Sequence, residues 1–426
     1  MLTSLYSGLS GLNTNALQLS LIGNNLSNVN TPGYKSSSAA FQDLLSQTLT
    51  GGGSEGNINF LQIGLGSSVA ATNQNFSQGS LQATGVNTNV AIQGEGFFVV
   101  NGTEGVNYTR AGDFHIDAGG NLVTSAGAFV QGFTQKDPLT NQILTSGLPA
   151  NINIPPGALF PPSPSSLGRI IANLDAGAPD GSVFASSLRV FDSLSAAHEV
   201  TFTWTKTGVS SYDYDVTVDG GEVTGGTAGT PFSLLSAPGT MTFDTDGTLL
   251  TVDGAAAGDV TLTTPDFTNG AAPLTFIWEL LSGNGTTNLT NYSAPSATSS
   301  SSQNGFSAGT LSTIAIGGDG TVQGIFSNGQ TAALARLALA TFNNPTGLVK
   351  MGSNRYNGSI SSGEPSIGVP GNGGRGTIAG STLELSNVDM AAEFISMIVA
   401  QRGYQANSRM ITTTDEILQD SINLKR

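Results

Sequence analysis

The sequence has no cysteine and only two histidines, His115 and His198, and charged residues make up just 10% of it. Without cysteine there are no disulfides, no thiolate metal sites and no cysteine nucleophile. Lys and Arg together number fourteen and are scattered, against 29 Asp and Glu, for a net charge of −15. Phosphate binding needs clustered cations, so nucleic acid is an unsuitable partner. No run approaches eighteen consecutive apolar residues, which argues against a membrane-spanning helix. The N-terminus also lacks a basic segment followed by an unbroken apolar run, so it does not read as a cleaved secretory signal. An extracellular role would require another export route.

Charge is also missing from one particular place: residues 1–34 contain no Asp, Glu, Lys or Arg. Within that stretch Leu2, Leu5, Leu9, Leu12, Ala16, Leu19 and Leu26 fall on alternating three- and four-residue steps, with Gly23 the one gap. Near the other end Met390, Phe394, Met397, Tyr404, Ile411, Leu418 and Ile422 repeat the pattern. A helix with such a stripe buries it against a partner helix. The rest of the N-terminal face is Ser, Thr, Asn, Gln and Gly, which permit close approach without burying a charge. The two ends are expected to pair with each other and with other copies, as in a subunit that polymerises.

The length calls for several domains, and abundant Gly, Ser, Thr and Asn suit short strands and tight turns. The spacing predicts a multidomain α+β chain, with a terminal helical coiled coil from residues 1–28 and 386–426. Residues 29–75 read as a linker segment, in which 36–75 form a short helix or extended stretch. A β-rich inner domain is expected from 76–160 and 306–385, with a hairpin turn at Asn101-Gly102. Pro155-Pro156, Pro161-Pro162 and Pro164 mark one linker, and Ser299 to Ser302 another. Between them lies an inserted all-β outer domain, 161–305. There Tyr212, Tyr214, Val216 and Val218 alternate with Asp213, Asp215, Thr217 and Asp219 before Gly220, and Val200, Phe202 and Trp204 alternate with Thr. Residues 160–305 hold three basic residues (Arg169, Arg189, Lys206) and fourteen acidic ones, and so carry −11 of the net −15. That favours solubility.

No pattern calls for catalysis, a metal or a cofactor. The two histidines are far apart and leave no Ser/His/Asp arrangement, and no strand–GxSxG–helix elbow is present. Asp213 and Asp215 lie about 7 Å apart on one strand face, too far to share a hard cation unaided. Asp244-Thr245-Asp246-Gly247 opens like an EF-hand loop but lacks the Glu at position twelve, so it reads as a β-turn. Gly94-Glu95-Gly96 precedes a strand, not a helix, which disfavours a phosphate cradle. A competing class is an extracellular binding module using Trp204, Trp278 or Tyr212 against glycans. A hydrolase with paired carboxylates is a third, without a spacing that singles out two distinct groups.

Four blocks together resemble the bacterial flagellar axial proteins, the family of rod, hook and hook-associated subunits. The first is Leu9-Ser10-Gly11-Leu12 with Asn24-Asn25-Leu26-Ser27-Asn28-Val29-Asn30-Thr31-Pro32-Gly33-Tyr34-Lys35. The second is Gly94-Glu95-Gly96-Phe97-Phe98-Val99-Val100 with Tyr108-Thr109-Arg110-Ala111-Gly112-Asp113-Phe114. The third runs from Ser327-Asn328-Gly329-Gln330 to Phe342-Asn343-Asn344-Pro345 and Gly347-Leu348. The fourth is Leu383-Glu384-Leu385-Ser386-Asn387-Val388-Asp389-Met390, continuing through Gln401-Arg402-Gly403-Tyr404-Gln405-Ala406-Asn407. The insert matches no signature.

Within the family, rod subunits of this pattern are much shorter, and junction proteins usually lose the middle β motifs. The resemblance is therefore to the hook-type members, with distal rod or hook–filament junction proteins as the runner-up. It implies a homopolymeric, curved tube outside the cell that carries torque from rod to filament, with no enzymatic activity. It further implies export by the flagellar type III apparatus, assembly beneath a hook cap, and contact with the distal rod and junction proteins.

Overall fold

The computed structural model describes residues 2–44, 46–49, 61–138, 140–283 and 285–423. The chain divides into two compact units. One is Met1–Pro156, Thr313–Ile325 and Thr331–Arg426; the other is Gly157–Ser312 and Phe326–Gln330.

In the first unit the two halves of the chain zip together. Strand Leu81–Ala83 pairs antiparallel with Thr382–Glu384, and Val90–Gln93 pairs with Thr377–Gly380. The apolar strand Phe97–Gly102 pairs with Gly105–Thr109 and Phe129–Phe133, and through Phe97 and Phe98 with Leu339–Thr341. Buried on one side are Phe97, Val99, Tyr108, Ala340, Phe342 and Tyr356. Their rings meet edge to face, Tyr108 and Phe342 at 4.8 Å and Phe76 and Phe97 at 5.4 Å, the geometry favoured by ring quadrupoles. The hairpin turn falls at Thr103-Glu104, two residues later than the sequence suggests. Asn101 and Gly102 are paired with Val106 and Gly105.

The described residues of the segment 37–74 form paired strands, not a short helix or an unpaired extended stretch. Strand Ser37–Asp43 pairs with Ser67–Gln74, and Ser46–Leu49 pairs with Leu61–Gly64. These strands are rich in Ser, Ala, Thr and Gln and lack an alternating apolar face, so neither strand nor helix periodicity shows in the sequence. The N-terminal helix, α1 (Leu2–Ser27), supplies the surface on which the first pair lies. Leu45 and the glycines at 51–53 lie outside the described residues.

The second unit is all β. Val183–Phe191, Ala197–Gly208, Ser211–Asp219, Gly239–Phe243 and Leu249–Val252 form successive antiparallel neighbours. A second sheet centres on Leu167–Asn173, flanked by Thr275–Glu279 and Leu289–Thr290 in parallel and Ala297–Gln303 antiparallel. The predicted alternation holds: Tyr212, Tyr214, Val216 and Val218 are buried while Asp219 is exposed. Asp244 closes a turn, its carboxylate accepting the N–H groups of Asp246 and Thr248. The Ser299–Ser302 run is not a linker but part of the Ala297–Gln303 strand, with its serines exposed. Trp204, Trp278 and Tyr212 are buried in this unit's core, and the first two pack 6.1 Å apart. The aromatics on which a glycan site would have relied are therefore core residues.

Candidate assembly site at the joined chain ends

Helix α1 spans Leu2–Ser27 and helix α2 spans Met390–Asn423. They pack antiparallel. A Cβ added to Gly8 would stand 3.3 Å from Ile411, one on Gly11 would stand 2.6 Å from the Asn407 amide, and one on Gly403 2.7 Å from Asn15. At the far end the Asn25 amide donates to Glu393 Oε1 at 2.8 Å. Glycines and asparagines bring the two backbones close along this seam, with Ile411 packed over Gly8.

The two chain ends pair as expected, but only part of each apolar stripe is covered within the chain. Leu9 is 46% exposed, Met390 51%, Phe394 49%, Tyr404 37% and Ile422 70%. Leu5, Leu12, Leu19, Leu26, Met397, Ile411 and Leu418 are half-buried, Ile411 at the seam. The side chain of Leu2 lies outside the described residues. Ile395, Ile398, Val399 and Ile417, outside the quoted stripe, are also exposed. Sequence periodicity finds apolar residues at the right spacing, but it does not say which face meets which partner. Glycines at 8, 11 and 403 are the signal for close backbone approach.

The family blocks converge below the helices. Helix α1 ends in turns closed by Asn28 N–H to Asn25 O and Thr31 N–H to Asn28 O. The Asn28 side chain donates to Asn24 O at 2.9 Å and accepts from the Thr31 hydroxyl. Asn30 is exposed and makes no side-chain hydrogen bond among the described residues. Gly33 has φ +68°, and a Cβ there would sit 2.5 Å from Ala111 N; both the left-handed backbone and the close approach demand glycine. The Tyr34 hydroxyl donates to Asn24 Oδ1 at 2.8 Å and to Asn25 Oδ1. Asn25, buried, also accepts from Ser37 N–H and donates to Ser37 O.

The fourth block completes the join. The Ser386 hydroxyl accepts Val388 N–H. The Asn387 side chain accepts Ser36 N–H at 2.9 Å and donates to Asn75 O at 2.7 Å. Val388 is half-buried. Asp389 caps α2, its Oδ1 accepting Ala391 and Ala392 N–H at 2.8 and 3.2 Å. That satisfies two otherwise orphaned donors and sets an anion at the positive end of the helix dipole.

Sequence reasoning quoted but did not single out the ionic node beside this join. Lys35 and Glu384 are fully buried and 2.7 Å apart. Lys35 also donates to Ser77 O, and Glu384 Oε1 accepts Gly79 N–H at 2.9 Å. Arg110, buried too, reaches Glu384 Oε2 at 3.4 Å and donates to Gly94 O at 2.8 Å. Burial pulls the Lys35 and Arg110 pKa values below their ordinary positions, and Glu384 pulls both partly back. One carboxylate thereby ties segments from both halves of the chain. The available signal was that Lys35 is the first charge in the sequence, directly after the charge-free stretch.

Family models match along the chain in order. Residues 5–35 match the flagella basal body rod protein model, and 91–163 the flagellar hook protein FlgE/F/G D1 domain. Residues 165–306 match the flagellar basal body protein FlaE D2 domain, and 379–424 the flagellar basal body rod FlgEFG protein C-terminal model. The flagellar hook protein FlgE of Treponema pallidum is 32% identical over 100% of both chains. That of Escherichia coli is 34% identical over 98% of both. The flagellar basal-body rod protein FlgG of Bacillus subtilis is 29% identical over 100% of both. The crystal structure of Helicobacter pylori flagellar hook protein FlgE2 aligns to 71% of this chain and 100% of its own, at TM-score 0.48 and 15% identity. On the full-length relatives, the chain belongs to the flagellar hook protein family.

Proposed function

We propose that the chain is the structural subunit of the bacterial flagellar hook, polymerising into a curved tube that passes torque from rod to filament while bending. The observation that carries this reading is the division of labour between the two helix faces. A close seam at Gly8, Gly11 and Gly403 joins α1 to α2 within one chain, and the exposed stripe residues Leu9, Phe394 and Tyr404 are left facing outward. Burying one such side chain stabilises an assembly by about 1.5–3 kcal/mol, so several per subunit suffice to drive association. Contacts between non-equivalent faces that do not close on themselves generate helical polymers. In this reading the terminal helices of neighbouring copies form a coiled-coil inner layer.

The β units contribute surfaces of Ser, Thr and Asn whose hydrogen bonds can exchange at modest cost as the tube bends. The subunit leaves the cell through the flagellar type III apparatus, assembles beneath a hook cap, and meets the distal rod and the junction proteins at the tube's ends. Catalysis has no part in it.

Electron microscopy of the full chain under polymerising conditions, beside a chain lacking 1–28 and 388–426, tests the proposal. Curved tubes from the full chain alone support it. Straight tubes would favour a rod-type subunit, a reading that the similarity to the Bacillus subtilis rod protein keeps in play. Monomers in both samples would count against both.

A further inference from the structure

A cavity of about 380 Å³ opens beside α1, lined by Leu21, Asn24, Ser37, Gln74, Leu348 and Lys350 among others. Its lining is unusual in charge. The Lys350 ammonium donates to Ser37 Oγ at 2.9 Å and lies 5.1 Å from the Tyr34 ring centre. Among the described residues it joins no ion pair. Lys350 is exposed, and partial desolvation lowers its pKa. Across the same strand pair, Gln74 sits opposite Ser37. Its side-chain oxygen is buried without a hydrogen-bond partner, and rotating the amide by half a turn presents an NH₂ donor instead. Leu21 and Leu348 supply apolar wall.

We propose that this cavity receives a carboxylate side chain from a second copy of the chain, with Lys350 as counter-charge and the Gln74 amide as hydrogen-bond donor. The inference rests on the polymerising-subunit reading. A second copy is the fitting occupant for two reasons. The cavity is walled by α1, the helix whose exposed stripe is assigned to contacts between copies. The chain also carries 29 acidic residues against fourteen basic ones, so a neighbouring copy offers carboxylates in excess. A cation that finds its partner only on assembly adds specificity and register to an otherwise apolar contact.

The test is the critical concentration for assembly, read by sedimentation at low and high salt, for the natural chain and for Lys350→Met, Lys350→Arg and Gln74→Glu. Lys350→Met is expected to raise it about fivefold, the effect of a partly exposed ion pair, and to blunt its salt dependence. Gln74→Glu, which sets a like charge against the incoming carboxylate, should raise it too. Lys350→Arg should stay close to the natural value. Thermal unfolding of each monomer separates loss of contact from loss of fold. An unchanged critical concentration for Lys350→Met, in a chain that otherwise assembles, overturns this inference alone. Equal loss in Lys350→Arg also overturns it, because shape and not charge would then matter. A natural chain that never assembles overturns the subunit reading and this inference with it.

Discussion

Asn25 and Glu393 stand 368 positions apart in sequence, yet the Asn25 side-chain amide donates to the Glu393 carboxylate at 2.8 Å. The same amide closes on Ser37 and Tyr34, so one buried side chain locks the end of α1 to the start of α2. Asn25→Ala removes these bonds and strands the Ser37 N–H. The expected cost is about 2–4 kcal/mol, seen as a lowered unfolding midpoint for the unit that carries the helices.

Glu384 is the carboxylate that pairs with both Lys35 and Arg110 in the buried node. Glu384→Gln leaves two cations in the interior, and breaking a buried pair in this way costs about 3–5 kcal/mol. Denaturant unfolding should show it. A double variant, Glu384→Gln with Lys35→Met, should recover part of the loss, because the node then loses one charge of each sign. If the double variant is as unstable as the sum of the two single ones, the node is not coupled as described.

Gly33→Ala forces a side chain onto backbone at φ +68° and into Ala111 N. Strain of about 1–3 kcal/mol is expected, and more where the backbone cannot yield. Gly85→Ala serves as the control, since its φ is also positive at +70° but open space surrounds it. Its loss should be smaller in the same melting experiment.

In the second unit Asp192 is buried, which pushes its pKa up. Hydrogen bonds from Asn269, His198 and the N–H groups of Ala196 and Leu194 outweigh burial and hold it below the usual carboxylate range. A carboxyl depressed by folding adds stability above its unfolded pKa, and loses it as pH falls through the folded one. This unit should therefore soften below about pH 4. Trp204 and Trp278, the chain's two tryptophans, both lie in its core, so tryptophan fluorescence follows this transition. Asp192→Asn should flatten the acid limb while lowering stability at neutral pH.

Legibility of the fold followed where burial leaves a periodic mark. Tyr212 to Val218 alternate with polar partners because one strand face meets a core, and that strand reads directly from sequence. Ser37–Asp43 and Ser67–Gln74 leave no such mark, because the ladder and α1 hold them in place of an apolar face. The Ser299–Ser302 run reads as linker for the same reason: its serines face solvent from an edge of a sheet whose ladder supplies the order. In the helices the leucines advertised themselves and hid the seam, since Gly8, Gly11 and Gly403 carry no hydrophobic signal. Lys35, Arg110 and Glu384 are ordinary charges in sequence, and only the chain's return path makes them neighbours.

In the proposed assembly the outward stripe on α1 and α2 is the surface between copies, and the glycine seam the surface within one. The most direct measurement is sedimentation of the full chain carrying Leu9→Ser and Phe394→Ser together, beside the natural chain. Both residues are exposed, so the monomer's unfolding midpoint should be preserved within about 0.5 kcal/mol per site, while assembly is lost or its critical concentration rises at least tenfold. A variant that assembles at the natural concentration, with its monomer equally stable, would contradict the assignment of the two faces.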